Sequence, residues 1–195
     1  HLKCSMVNKM PGYQVDKYAN LRLGYTYMFG HSGKKLLFMG QDFGQEREWS
    51  EARELDWFLL ENPLNRGMQT YVGELLKLYH KYSCLYELDK GWQGFEWLNA
   101  DDKDRSIYSF FRKNSTGKNN LMFVLNMTPV ARENYVIGVP RKKKYKLVLN
   151  SDDTRFGGNG NEIPAEIMAK DGECNYRDYT ITFTLPAYTA AVFTF

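Results

Sequence analysis

Residues 34 to 57 read KKLLFMGQDFGQEREWSEARELDW, a short apolar run followed by carboxylates, amides, arginines and two tryptophans. Asp42, Glu46, Glu48, Glu51, Glu54 and Asp56 crowd this stretch. Glycoside chemistry uses two carboxyl groups on opposite sides of a sugar, one as proton donor and one as nucleophile or base. Nothing in the spacing here selects a pair, and charge-rich loops are mostly solvated surface. Trp49 and Trp57 offer flat faces for sugar rings, although Trp57, inside LDWFLL, has core-like surroundings and is expected to pack under the following helix. Position favours a functional role, because α/β folds build their sites on loops leaving the C-terminal ends of parallel strands.

The remaining candidates are weaker. His1, His31 and His80 are scattered without metal-ligand spacing. His31 is expected at a helix end, where the dipole favours it, and His80 on the surface. Cys4, Cys84 and Cys174 are odd in number and contain no CxxC pair, which suits free thiols in a reducing compartment. The run RKKKYK, residues 141 to 146, lacks interleaved stacking aromatics and reads as a lysine-protected strand start. The net charge of +3, from 26 Lys and Arg against 23 Asp and Glu, is too small to imply nucleic acid. GGNGN, residues 157 to 161, is followed by no GK[ST] and is expected to be a flexible turn rather than a phosphate loop. No apolar run approaches a membrane span, and the opening residues are not expected to be a signal peptide. The expectation is a soluble, cytoplasmic protein with no nucleic-acid and no membrane partner.

Two patterns of elements surround the loop. Asp16 is a plausible N-cap, followed by apolar Tyr18, Leu21, Tyr25, Met28 and Phe29 at helical spacing, with Gly30 and HSG ending the helix. LLFM, residues 36 to 39, is expected to be a short parallel strand covered on both faces. Met68, Tyr71, Val72, Leu75, Leu76, Tyr79 and Tyr82 mark a second helix. From about Gly91 the period changes to short β-branched and aromatic runs such as RSIYSFFRK, NNLMFVLNM, YTITFTLP and TAAVFTF, separated by turn signals. These predict an antiparallel sandwich of about seven or eight strands. A lone parallel strand cannot satisfy both its edges. Residues 1–85 are therefore expected to be the end of a larger α/β sheet or barrel, and residues 86–195 an all-β domain, so the chain reads as a piece of something longer.

The segments HLKCSMVNKMPG, YANLRLGYTYMFGHSGKKLLFMGQDFGQEREWS, LDWFLLE, GFEW, DDKDRSIYSF and GVP with YKLVLNSD, in this order, closely resemble the C-terminal part of glycogen (1,4-α-glucan) branching enzymes of the α-amylase-like glycoside hydrolase superfamily. The resemblance implies an α/β plus all-β fold: the last strand and flanking helices of a (β/α)8 TIM barrel, followed by a C-terminal antiparallel β-sandwich. It implies that His1 is similar to the last residue of the family's HDEVVH-like stretch and that the three catalytic carboxylates lie upstream, so no residue of this chain is expected to be catalytic. MGQDFGQEREW is similar to the loop after the eighth barrel strand, where GNEF or GSEF is usual; here Gln41 and Asp42 stand in place of Asn or Ser and Glu, and Asp42 has the shorter reach. Gln41, Asp42, Phe43, Gln45, Arg47, Glu48 and Trp49, with His1 and Lys3 nearby, are the residues implied to wall a glucan cleft by hydrogen bonding and stacking, Arg47 holding the loop's acids. The implied partners are α-glucan and the upstream remainder of the barrel. No cofactor and no metal is implied. The parent's activity would be glycosyl transfer making α-1,6 branches, and the fragment alone is expected to be inactive; alternatives are an α-glucan-binding module using Trp92, Trp97 or Tyr135, a structural cover for the barrel, or a debranching or amylose-hydrolysing parent.

Overall fold

The computed structural model describes residues 4–195. Among them, three α-helices precede nine β-strands: α1 (Met6–Lys9), α2 (Gln14–Gly30), α3 (Pro63–Lys81), then β1 (Phe95–Asp102), β2 (Ile107–Arg112), β3 (Leu121–Asn126), β4 (Arg132–Val139), β5 (Lys144–Asn150), β6 (Glu166–Met168), β7 (Lys170–Cys174), β8 (Arg177–Leu185) and β9 (Ala190–Thr194). The strands form a six-stranded sheet of order β1-β2-β3-β9-β5-β6 and a three-stranded sheet of order β4-β8-β7, with every pairing antiparallel. The short β6 and β7 exceed the seven or eight strands expected, because EIM and KDGEC carry little of the β-branched and aromatic signal that marks the others.

The centre of the six-stranded sheet, β2, β3 and β9, is buried on both faces. Phe110, Leu121, Phe123, Leu125, Ala190 and Val192 join a cluster with the helices, while their strand neighbours Phe111, Met122, Val124, Ala191 and Phe193 pack against β4 and β8. Successive strand residues point to opposite faces, so all six residues of β3 are buried. The result is three layers: helices, large sheet, small sheet.

The helices follow from their sequence with one adjustment. Asn62 caps α3 by accepting from the Leu64 amide at 2.9 Å, with Pro63 in the first turn. Met68, Tyr71, Val72, Leu75 and Leu78 form its buried face, and Leu76 lies outside. In α2 the N-cap is Tyr13, and Asp16 sits in the first turn accepting from the Tyr13 amide at 3.2 Å. The side chain three residues inside the helix thus reaches back to the cap, as in half of a capping box.

The expected barrel strand over residues 36–39 is not formed. Ladder bonds to neighbours stabilise a parallel strand, and the described residues hold no strand before β1. Leu37 leans on the helical core while Leu36, Phe38 and Met39 are exposed. Residues of the helices, such as Phe29 and Leu75, share one hydrophobic cluster with Phe110, Phe123 and Val192 of the large sheet. Arg112 of β2, fully buried, donates to the Gly30 carbonyl at 2.7 Å, the Gly94 carbonyl at 3.1 Å and Asp89 Oδ1 at 2.5 Å. Arg22 of α2, also buried, donates to the Ser151 and Phe156 carbonyls at 2.8 and 3.0 Å.

Those two carbonyls lie just before GGNGN, residues 157 to 161, the segment expected to be a flexible turn. Instead, the buried Asp152 carboxylate accepts from the amides and side chains of Asn159 and Asn161 at 2.7 to 3.2 Å. The glycines and asparagines of GGNGN wrap a charge. The basic run 141–146 leads into β5: Lys144 and Lys146 reach Glu166 of β6 at 2.6 and 3.4 Å, and Lys142, just before the strand, pairs with Asp171.

Candidate functional site

The polar loop leaves the apolar run through a tight turn. Gly40 (φ 81°) and Gly44 (φ 69°) bracket a single 3-10 turn, Gln41–Phe43, in left-handed conformations that other residues adopt only at a cost. All three helices hold its backbone. Tyr25 of α2 donates to the Gln41 carbonyl at 2.8 Å, Asn65 of α3 donates to the Phe43 and Gly44 carbonyls at 2.9 and 3.2 Å, and Asn8 of α1 donates to the Glu46 carbonyl at 2.7 Å.

Beside this turn is a cavity of about 190 Å3. Gln41, Gln45, Arg47, Glu48 and Trp49 line it, together with Phe38, Met39, Tyr25 and residues of α1. Five of the residues expected in the wall are therefore brought together. Asp42, half-buried, lies outside the lining. Phe43 is fully buried and packs on the Trp57 ring at 5.2 Å, so it supports the wall from beneath and offers a ligand no surface. Gln45 is also buried; it accepts from the Asp56 amide at 2.9 Å and donates to the Arg47 carbonyl at 3.2 Å, cross-linking the loop. His1 and Lys3 lie outside the described residues.

Arg47 does hold an acid, Asp56. Its Nε donates to Oδ2 at 2.6 Å and its Nη2 to Oδ1, the bidentate geometry that suits a guanidinium and a carboxylate. That pairing keeps the Asp56 carboxyl below the usual carboxylate range, the opposite of what a proton donor at neutral pH needs. Glu46, Glu51 and Glu54 are exposed. The loop is equipped to hydrogen-bond and to stack.

Two aromatic placements differ from expectation. Trp57 is 51% exposed, because its own five-residue 3-10 turn, Trp57–Glu61, carries it over Phe43 instead of under α3. Phe38, expected inside a strand, meets the Trp49 ring edge to face at 5.1 Å and lines the cavity. No signal in the residues marked it, since the strand reading placed it in a core. Tyr135 is buried against Phe183 and cannot serve as an exposed platform, whereas Trp97 is 41% and Trp92 82% exposed. His31 caps α2 with its ring among Tyr27, Phe95 and Trp97, a packing role. Among the described residues no group of three or more His, Cys, Asp or Glu could hold a metal ion, and no helix is long and apolar enough to cross a membrane.

The family model described as alpha amylase, C-terminal all-beta domain, matches residues 97–195. The chain belongs to this family. The alpha-amylase C-terminal all-beta domain accounts for nearly all of β1 and all later strands. Similarity extends beyond it. The whole chain is 66% identical over 195 residues to the 1,4-alpha-glucan branching enzyme GlgB of Butyrivibrio fibrisolvens, and 43% identical over 192 residues, 98% of this chain, to that of Geobacillus stearothermophilus. It spans about 30% of the length of these curated relatives. A solved debranching enzyme from Nostoc punctiforme superimposes with a TM-score of 0.61 at 16% identity, covering 92% of this chain and 32% of that one, a likeness of fold alone.

Proposed function

We propose that this chain is the C-terminal part of a 1,4-α-glucan branching enzyme, whose whole chain cleaves an α-1,4-glucan and passes the cleaved segment to a glucose 6-hydroxyl as an α-1,6 branch. The observation that carries the reading is 66% identity sustained over all 195 residues to the Butyrivibrio enzyme, through the helices and polar loop as well as the sandwich. Under this reading residues 1–85 complete the catalytic barrel and residues 86–195 are its C-terminal domain. Exposed Leu36, Phe38 and Met39 face the upstream barrel strands, which supply the missing ladder.

The role of this part is to build one wall of the glucan cleft. Gln41, Glu48 and Trp49 present an amide, a carboxylate and an indole, and Arg47, locked to Asp56, fixes the loop between them. The chemistry is a retaining double displacement by carboxylates of the upstream part, and it takes place without a metal or organic cofactor. Asp42, next to the cavity lining, acts through the loop rather than as an acid or base.

The test is to join this chain to the upstream portion of the Butyrivibrio enzyme and follow branching of amylose by loss of iodine colour. The joined protein branches, and the chain alone leaves the spectrum unchanged. Branching by the chain alone that is lost in Asp42→Ala would overturn the reading; a well-folded joined protein that hydrolyses amylose without forming branches would replace it with a hydrolytic one. In the joined protein, Trp49→Ala lowers kcat/KM on amylose by about tenfold through lost stacking.

A further inference from the structure

Asn159–Gly160 is the single Asn-Gly pair of the chain, and it lies in the segment wrapped around Asp152. Such a pair carries its own reactive couple, because glycine has no Cβ to shield its nitrogen from the preceding Asn side chain. Once that nitrogen loses its proton, its electron pair forms a bond to the Asn Cγ and the side-chain amide leaves as ammonia. Water then opens the five-membered imide at either carbonyl. The products are aspartate, or isoaspartate with the backbone rerouted through the side chain. The reaction needs no reagent besides water.

The fold restrains both members of this couple. Gly160 donates its amide proton to the Asp152 carbonyl at 2.8 Å. Asn159 donates to Asp152 Oδ1 through its backbone amide at 2.8 Å and through Nδ2 at 3.2 Å. The attacking nitrogen and the leaving nitrogen are thus tied to one buried residue, and the imide closes only after they are released. Water already reaches them: Asn159 and Gly160 are exposed, and Gly160 and Asn161 line an open concavity of about 730 Å3. Residues 158–164 form no helix or strand, and Gly157, Gly158 and Gly160 gain more backbone freedom on release than other residues would. Segments of this kind open at a smaller cost than global unfolding.

We propose that Asn159 is a deamidation site gated by Asp152: it converts only while the loop is open, and conversion keeps the loop from closing again. The new carboxylate has no hydrogen to give Asp152 Oδ1 and repels it across hydrogen-bonding distance. Isoaspartate also lengthens the backbone between amides that now converge on Asp152. The loosening passes to the Ser151 and Phe156 carbonyls and so to Arg22 of α2. Asn161 donates to Asp152 Oδ2 through the same two groups, at 3.2 and 2.7 Å. Its successor is Glu162, whose side chain crowds the attack, so Asn161 remains an amide.

The experiment incubates the chain in mildly alkaline buffer, native and in urea, and reads amide-to-acid conversion by fragment mass spectrometry of the tryptic peptide 156–170, while exchange of the Gly160 amide proton is followed in parallel. Conversion appears at Asn159 and not at Asn161. The native chain slows it by the same factor by which it slows Gly160 exchange, since one opening exposes both. Asp152→Asn speeds native conversion about tenfold through its weakened cradle and leaves the rate in urea unchanged. If that variant fails to fold, low urea on the wild-type chain serves instead, and conversion and exchange must rise together. No conversion at Asn159 in urea overturns the site. Equal rates in native buffer and urea, or native conversion that does not follow Gly160 exchange, overturns the gate. Converted chain, separated by its extra charge, exchanges faster at residues 150–161 than unconverted chain; equal exchange overturns the claim that conversion holds the loop open.

Discussion

Asp56 shows how one buried carboxylate can govern a loop. Its ion pair with Arg47 depresses its folded pKa below that of the unfolded carboxylate, about 3.9. The pair therefore contributes stability that is fully present above the unfolded value and is lost as pH falls through the folded one. Tryptophan emission, reporting Trp49 and Trp57 on the same loop, is expected to change on acidification below about pH 4, and Asp56→Asn should remove that step. An identical acid transition in the variant would assign the change to other groups. Two glycines of α3 make a sharper comparison. A Cβ on Gly67 would lie 2.6 Å from the backbone carbon of Phe156, whereas one on Gly73 would meet nothing within 4 Å. Gly67→Ala should destabilise by about 1–3 kcal/mol, since backbone cannot move aside as a side chain can. Gly73→Ala should stabilise by about 0.5–1 kcal/mol through helix propensity. Urea unfolding of both variants measures the difference.

At the scale of elements, the helices are fastened to the sandwich by polar clamps as well as by apolar contact. Arg22 ties α2 to the segment wrapped around Asp152, and Arg112 ties β2 to the end of α2. Burial lowers the Arg22 pKa, and the Asp152 carboxylate acts against that shift. Removing Asp152 frees four donors at once and leaves a buried guanidinium without its neighbouring charge. Asp152→Ala should therefore cost about 3 kcal/mol, and Asp152→Asn, which keeps one acceptor oxygen, distinctly less. Amide exchange should show the loss first at residues 150–161 and then at the α2–α3 contact. A loss confined to the loop would mean that the clamp does not couple the layers.

At the scale of the whole molecule, the unusual feature is an apolar run with no ladder. Leu36, Phe38 and Met39 are exposed, with Phe38 against the half-exposed Trp49, an apolar surface of the kind that marks an interaction site. The chain by itself is expected to self-associate through this surface, with sedimentation that depends on concentration. Leu36→Lys with Phe38→Lys should restore a monomer without changing the sandwich. A wild-type chain that stays monomeric at high concentration would mean that the surface is satisfied within the chain.

Local pattern was enough for much of this. The apolar stripe of α3, the change to a two-residue period after Gly91 and the turn residues between strands each depend on neighbours a few positions away, so they are legible in one dimension. The order of segments from HLKCSM to YKLVLNSD likewise carries family membership without any coordinates. What the tertiary structure alone decided was burial and pairing between distant residues. The period of β3 could not show that helices would cover one face and a second sheet the other. LLFM has a strand's composition, yet forms none where no partner strand lies beside it. Phe43 and Trp57 are both aromatic residues of one polar stretch, and only the turn between Gly40 and Gly44 puts the first inside and leaves the second half outside. Asp89 finds its partner in Arg112, a residue 23 positions away on a strand of the sandwich. Sequence settles what depends on spacing along the chain; the fold settles which partner each group finds across it.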